Sequence, residues 1–279
     1  MKTLYVSDLD GTLFNTEKKV SRFSVDIINK FVSQGGFFTI ATARMAYGCD
    51  YKLKNIDLNI PGIIMNGACL YSFNDKKYID VRTIENKKVL EIENILDECD
   101  CNAYMYSFED NAISIFYKSE SEDQDAQYLS RRAIEECRKI KRINQLSREA
   151  TDRQVIYFAL TGKKQKIQSV SDKIKTVEGI ESVMYLNIYN GLYCLEIFDE
   201  KANKANALLN LKQRVLADEV IVFGDNHNDI DMMHVADFSF APDNAIEEVK
   251  RIVTGVIDSC DDDGVAKYMK QKYDLKSEG

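Results

Sequence analysis

Four short apolar runs constrain this chain most. They are Leu4-Tyr5-Val6, Phe37-Phe38-Thr39-Ile40-Ala41, Ile63-Ile64-Met65 and Val220-Ile221-Val222-Phe223. Each is nearly continuous, so neither face is free to meet water. Each is also short, as a strand is and a helix is not. Between the first two, Val25, Ile27, Ile28, Phe31 and Val32 recur at helical spacing from about Ser24 to Gln34, and Gly35-Gly36 ends that helix. A second helix is expected over Lys204–Ala217, just before the fourth run. Buried strands alternating with helices predict an α/β fold built on a doubly wound parallel sheet.

The middle of the chain reads differently. A helix is expected over Glu85–Asp97, strands over Ala103–Ser107 and Ala112–Tyr117, and a polar helix from about Gln124 to Lys139. A strand over Gln154–Leu160 and a helix over Lys163–Val177 follow. Ser182–Ile188 and Leu192–Phe198 flank Asn190-Gly191, a strong signal for a hairpin. This is the pattern of an antiparallel α+β module. The expected organisation is a discontinuous core, 1–82 plus 192–279, interrupted by an inserted α+β domain over 83–191.

Composition excludes several classes of function. The 279 residues carry a net charge of −8, which argues against binding nucleic acid by neutralising phosphates. The basic run Arg138-Lys139, Lys141, Arg142 sits among 16 basic and 19 acidic residues in 83–191, so it reads as a solvated helix end. No apolar run approaches the roughly 20 residues of a membrane span, and no membrane partner is expected. Seven cysteines, an odd number spread along the chain, fit reduced thiols in a cytoplasmic protein. Cys99 and Cys101 lack a second pair for a zinc site.

The chemistry gathers where the apolar runs end. The first opens into Asp8-Leu9-Asp10-Gly11-Thr12, and the fourth into Gly224-Asp225-Asn226-His227-Asn228-Asp229. In open parallel sheets, ligands bind beyond the carboxyl ends of the strands. Paired carboxylates there are costly unless a cation neutralises them, and oxygen donors facing a phosphate-type ligand favour Mg²⁺. Thr42, after the second run, falls on the same edge, where its hydroxyl can donate to a phosphate oxygen or cap the next helix. His227 reads as a solvent-facing loop residue, and His234 as packing on the helix after Asp229.

The set DLDGTLF (8–14), ATAR (41–44), NG (66–67), LEIFDEKANKANAL (195–208) and GDNHNDIDMM (224–233) resembles the haloacid dehalogenase superfamily. The later APDNA (241–245) and DDDGVAKYM (261–269) are similar to its Cof-type phosphatases, which carry a large α/β cap on a Rossmann-like core. The resemblance implies a Mg²⁺-dependent phosphatase acting on a small phosphorylated metabolite, a sugar phosphate or a phosphorylated cofactor, with the inserted domain as a cap over the core site.

The resemblance also implies roles. Asp8 would be the nucleophile that forms an aspartyl-phosphate, and Asp10 the general acid and then base. Thr42 and Lys204 would hold the transferring phosphoryl group, with Arg44 and Asn228 also near the substrate. Mg²⁺ would be bound by the Asp8 carboxylate, the Asp10 backbone carbonyl and Asp225, with Asp229 in support. The family's usual glycines after Thr42 and Lys204 are Ala43 and Ala205 here. Alanine serves in either place unless the backbone needs a positive φ or very close approach. Two alternatives stay open: a sugar phosphomutase or phosphotransferase using the same intermediate, and a catalytically weak binding protein on the same scaffold.

Overall fold

The computed structural model describes residues 2–118, 139–186 and 191–277. The chain divides into two compact units, Met1–Asp80 with Ala202–Gly279, and Val81–Lys201.

The first unit is built on a parallel sheet. Strands β1 (Thr3–Ser7), β2 (Phe37–Ile40), β12 (Glu219–Phe223), β13 (Phe238–Pro242) and β14 (Gly255–Ile257) lie in the order β14-β13-β12-β1-β2. All four pairings are parallel. Both faces of β1 are covered, which is why its residues read as one apolar run. On one face Leu4, Val6, Val220 and Val222 pack with helices α6 (Lys204–Val215), α7 (Ile230–Val235) and α8 (Glu247–Ile252) through Leu208, Leu211, Met232 and Val249. On the other, Tyr5 meets Phe31 of α1 (Arg22–Ser33) edge to face at 5.1 Å, and Phe240 meets Tyr268 of α9 (Gly264–Ser277) at 4.2 Å. Helix α1 is started by Ser21, whose hydroxyl accepts from the Ser24 N–H.

A smaller sheet, β3 (Gly62–Ile64), β4 (Cys69–Ser72) and β5 (Lys77–Val81), adjoins β2 through one parallel bridge between Ala41 and Ile63. Helix α2 (Ala46–Leu53) follows the β2 loop.

The second unit carries a six-stranded sheet, β10-β11-β9-β6-β7-β8. Its strands are β6 (Tyr104–Glu109), β7 (Ala112–Tyr117), β8 (Lys139–Arg142), β9 (Gln154–Gly162), β10 (Ile180–Leu186) and β11 (Tyr193–Asp199). Helices α3 (Asn86–Glu98) and α5 (Lys164–Ile174) bury Val89, Ile92, Ile167 and Val170 against Met105, Phe158 and Leu195. The short α4 (Leu146–Ala150) joins the same core through Leu146 and Ala150. In the second unit Tyr104 and Tyr106 are buried, Tyr106 stacks on Tyr157 at 4.3 Å, and Tyr185 is exposed.

Three expectations change here. The second junction falls after Lys201 rather than at 191, because β11 pairs antiparallel with both β9 and β10 and so belongs to the inserted sheet. The basic run is not a helix end. Lys139–Arg142 is an edge strand parallel to β7, and edge positions tolerate lysine because one flank faces water. His234 lies on α7 but is exposed. The expected polar helix from Gln124 lies outside the described residues as far as Arg138, and so does Asn190.

Candidate active site

Every expected site residue lies in the first unit, and most follow a strand's carboxyl end. The N–H of Asp8 donates to the Phe223 carbonyl at 2.9 Å, which joins the ends of β1 and β12. These two strands flank the point where the chain order reverses across the sheet, the place where open α/β folds bind ligands. The segment then closes tightly: Phe14 donates to Leu9 at 2.7 Å and Leu13 to Asp8 at 3.3 Å. Asp8 is buried, whereas Asp10 turns outward.

Lys204 is the first residue of α6, whose N-cap Asn203 accepts from the Asn206 N–H at 2.8 Å. Its side chain is 1% exposed, and its Nζ donates to Asp8 Oδ1 at 2.6 Å and to Asp229 Oδ1 at 2.7 Å. Asp229 is fully buried, and its other oxygen accepts from the N–H groups of Asp225 and Asn226 at 3.0 and 3.2 Å. One carboxylate therefore fixes both the ammonium and the turn that carries Asp225. Asp225 in turn accepts from the Thr12 hydroxyl at 2.9 Å. Gly11 lies between these loops at φ +82°, and a Cβ there would collide with Asp225 Oδ2.

The electrostatics follow from burial. Burial pushes the Asp8 carboxyl up to about 8; Lys204 opposes the rise, while Asp229 and Asp225 add to it. Burial and then Asp229 push Asp225 up to about 6, against the pull of the Thr12 hydrogen bond and Lys204. For Lys204, burial favours the neutral amine, but Asp229 and Asp8 outweigh it and the ammonium is held well above its ordinary range.

Asp8, Asp225 and Asp229 bring one oxygen each within 4.8 Å of one another. Three carboxylates face one ammonium. That excess of negative charge and the all-oxygen donor set fit a hard divalent cation. The expected ligands are the Asp8 carboxylate, the Asp10 backbone carbonyl and Asp225; in this grouping of side chains Asp229 stands beside Asp8 and Asp225, while the Asp10 carboxylate is engaged elsewhere. Both Asp10 oxygens accept from Arg44, Nε to Oδ2 and Nη2 to Oδ1, each at 2.6 Å.

Thr42 is buried, and its hydroxyl accepts from the Arg44 N–H at 3.2 Å. Its own proton has no acceptor among the described residues. Asn228 is exposed, and its side chain donates to Asn66 Oδ1 at 3.1 Å. His227 is exposed beside Glu248 at 3.4 Å. Neither Ala43 nor Ala205 has a positive φ, so neither backbone conformation demands glycine. Thr12, Asn66 and Asn244 were not singled out from sequence as site residues. Asn244 donates to the Gly11 carbonyl and accepts from the Cys260 N–H, both at 2.8 Å. Thr12, Asn66 and Asn244 lie in the sequence stretches already noted, but their partners are distant in the chain.

A parallel sheet with acidic loops at the carboxyl ends of β1 and β12, a buried lysine between them and a large inserted unit define a haloacid dehalogenase fold. The sequence matches the haloacid dehalogenase-like hydrolase family over residues 5–269, and the chain belongs to that family. Two relatives come from Bacillus subtilis (strain 168), and both are named 5-amino-6-(5-phospho-D-ribitylamino)uracil phosphatase. YitU is 22% identical over 98% of this chain and 98% of its own. YwtE is 26% identical over 95% of this chain and 96% of its own. The crystal structure of TM0651 from Thermotoga maritima superimposes with a TM-score of 0.76 at 23% identity, covering 97% of each chain.

Proposed function

We propose that this phosphatase of the haloacid dehalogenase family hydrolyses a small phosphate monoester through an aspartyl-phosphate on Asp8. The observation that carries the proposal is the buried Lys204 held between Asp8 and Asp229. Lys204 takes Asp8 Oδ1, and Oδ2 has no hydrogen bond among the described residues. A carboxylate held by one oxygen is oriented for in-line attack with the other.

Asp8 Oδ2 forms a bond to phosphorus as the ester P–O bond breaks, and the departing oxygen takes a proton from Asp10. A water then gives a proton back to Asp10 and attacks phosphorus. The Oδ2–P bond breaks, inorganic phosphate leaves and Asp8 is restored. Lys204 and the free Thr42 proton stabilise charge on the transferring oxygens, and Asn228 borders the same edge. Arg44 orients Asp10. A Mg²⁺ ion held by Asp8 and Asp225, with the Asp10 carbonyl, would keep Asp8 ionised against the rise that burial causes and would supply charge neutralisation between carboxylate and phosphate. Asp229 positions Lys204 and the Asp225 turn.

The two Bacillus relatives are named for a phosphate ester on a ribityl chain. That supports a substrate bearing a phosphorylated alcohol on a polyhydroxylated chain, such as a sugar phosphate or a phosphorylated cofactor. The test is release of inorganic phosphate from a panel of such esters, with and without Mg²⁺, with products identified. Metal-dependent release supports the reading. Conversion to an isomeric phosphate with little release overturns hydrolysis in favour of a mutase.

A further inference from the structure

We propose that Asn66 is a positioning residue for the phosphoryl site, acting through Asn228; the proposal rests on the phosphatase reading above. Asn66 is the middle of a left-handed turn. Met65, Asn66 and Gly67 have φ of +52°, +52° and +98° in succession. Such a conformation is disfavoured for a residue with a Cβ, and it persists where surrounding contacts hold it. Methionine at the first position has none of asparagine's or glycine's tolerance for it.

Besides the local Ala68 N–H bond to the Met65 carbonyl, contacts from the site loops hold the turn. The Met65 N–H donates to the Arg44 carbonyl and the Asn66 N–H to the Thr42 carbonyl, each at 3.0 Å. Gly67 lies against the Asn203 carbonyl and the Lys204 N–H, so close that a Cβ would overlap them. The Asn66 side chain then accepts from Asn228 Nδ2 at 3.1 Å. One turn thus touches the loop after β2, the start of α6 and the loop after β12. These carry Thr42 and Arg44, Lys204, and Asn228 respectively.

The side chain and the backbone make separable contributions. The backbone braces Thr42 and Lys204. The side chain sets the rotation of the Asn228 amide: with one Nδ2 proton committed to Asn66, Asn228 presents its other proton and its Oδ1 in a fixed direction. Without Asn66 Oδ1 the exposed Asn228 would lose that orientation.

Asn66→Gly isolates the side chain, because glycine adopts the left-handed conformation without strain and the turn survives. The experiment is a double-mutant cycle of Asn66→Gly, Asn228→Ala and both together. It has two readouts: kcat and KM for phosphate release, and calorimetric titration with inorganic phosphate in the presence of Mg²⁺. Denaturation midpoints are measured alongside. Loss of one orienting hydrogen bond predicts a fall in kcat/KM of about tenfold for Asn66→Gly. It also predicts that the double variant is no worse than Asn228→Ala alone, because a residue acting through another adds nothing once that other is gone. A wild-type-like Asn66→Gly, or effects of the two substitutions that multiply in full, overturns the proposal. If the wild-type protein releases no phosphate, the phosphatase reading falls and the phosphate titration decides. Weaker, non-additive binding in the variants keeps the positioning role, and unchanged or undetectable binding overturns it.

Discussion

Arg44 grips Asp10 with two hydrogen bonds of 2.6 Å, one to each carboxylate oxygen. A guanidinium fork is the side chain best shaped for such a grip, and it fixes direction as well as distance. In the proposed mechanism Asp10 frees one oxygen from this fork to carry the proton it delivers to the leaving oxygen, while the other contact keeps its direction, so Arg44 acts where the leaving group is poor. Arg44→Ala should slow hydrolysis of an alkyl phosphate about tenfold or more, part of the 10²–10⁴ range of general acid catalysis. An aryl phosphate, whose leaving group needs little protonation, should be affected far less. Steady-state rates on the two esters check this, and an equal loss on both would show that Arg44 does not work through Asp10.

Lys204 is the counter-charge for two buried carboxylates. Removing one partner of a buried charge cluster costs about 3–5 kcal/mol, because the remaining charges are left uncompensated. Lys204→Met should therefore lose turnover in Mg²⁺ and stability in metal-free buffer. Combining it with Asp229→Asn should restore part of the stability and none of the turnover. Denaturant unfolding of the two variants is the measurement, and a Lys204→Met protein as stable as wild type would contradict the picture.

Gly67 faces two constraints at once, a φ of +98° and the Asn203 carbonyl where a Cβ would stand. Gly67→Ala should destabilise the protein by about 1–3 kcal/mol. It should lower kcat beyond what any unfolded fraction explains, since relief of the clash moves the start of α6 and Lys204 with it. A variant with normal kcat per folded molecule would show that Lys204 is not sensitive to this contact.

The structural features open to sequence reading were those with a local cause. Val6 and Val222 belong to strands buried on both faces, so the runs are apolar throughout and the acids that follow them stand out. The edge strands were hidden for the opposite reason. Lys139–Arg142 is mostly charged, and β5 (Lys77–Val81) has no fully buried residue, so neither shows a strand's apolar pattern. The expected boundary at 191 cuts through the hairpin that Asn190-Gly191 signals, and β10 and β11 do pair antiparallel; the pairing of β11 with β9, which seats it inside the inserted sheet, joins residues far apart in the chain and has no local signal. In the site, Asp8, Asp225 and Asp229 were legible from residue type and place, and Lys204 only from the family resemblance, since one lysine at a helix start is ordinarily a solvated group. The grip of Arg44 on Asp10 and the contact of Asn66 with Asn228 were not, because each joins residues far apart in the chain through side chains whose direction only the fold determines.

Glu93 gives a prediction about pH in the inserted unit. It is buried, and its oxygens accept from the Leu146 and Ser147 N–H groups at 2.8 and 2.9 Å at the start of α4. Burial raises its pKa, but hydrogen bonds from Ser147 and Leu146 and the charge of Lys118 outweigh that and hold the carboxyl below its ordinary range. A carboxylate whose folded pKa is depressed contributes stability above its unfolded pKa, about 4.3, and that contribution is lost as pH falls through the lower folded value. Glu93→Gln should therefore be less stable than wild type by about 1–3 kcal/mol at neutral pH. The gap should narrow below about pH 4. Thermal or denaturant unfolding across that range decides it, and a gap that stays constant with pH would refute the assignment.

The covalent intermediate is the central claim, and trapping it is the most direct test. Protein turning over a phosphate ester in Mg²⁺ is quenched in acid and treated with borohydride, which reduces an aspartyl-phosphate to homoserine, and the peptides are read by mass spectrometry. The account predicts homoserine at position 8, dependent on substrate and absent from Asp8→Asn. Steady phosphate release with Asp8 unmodified, or undiminished release by Asp8→Asn, would contradict it.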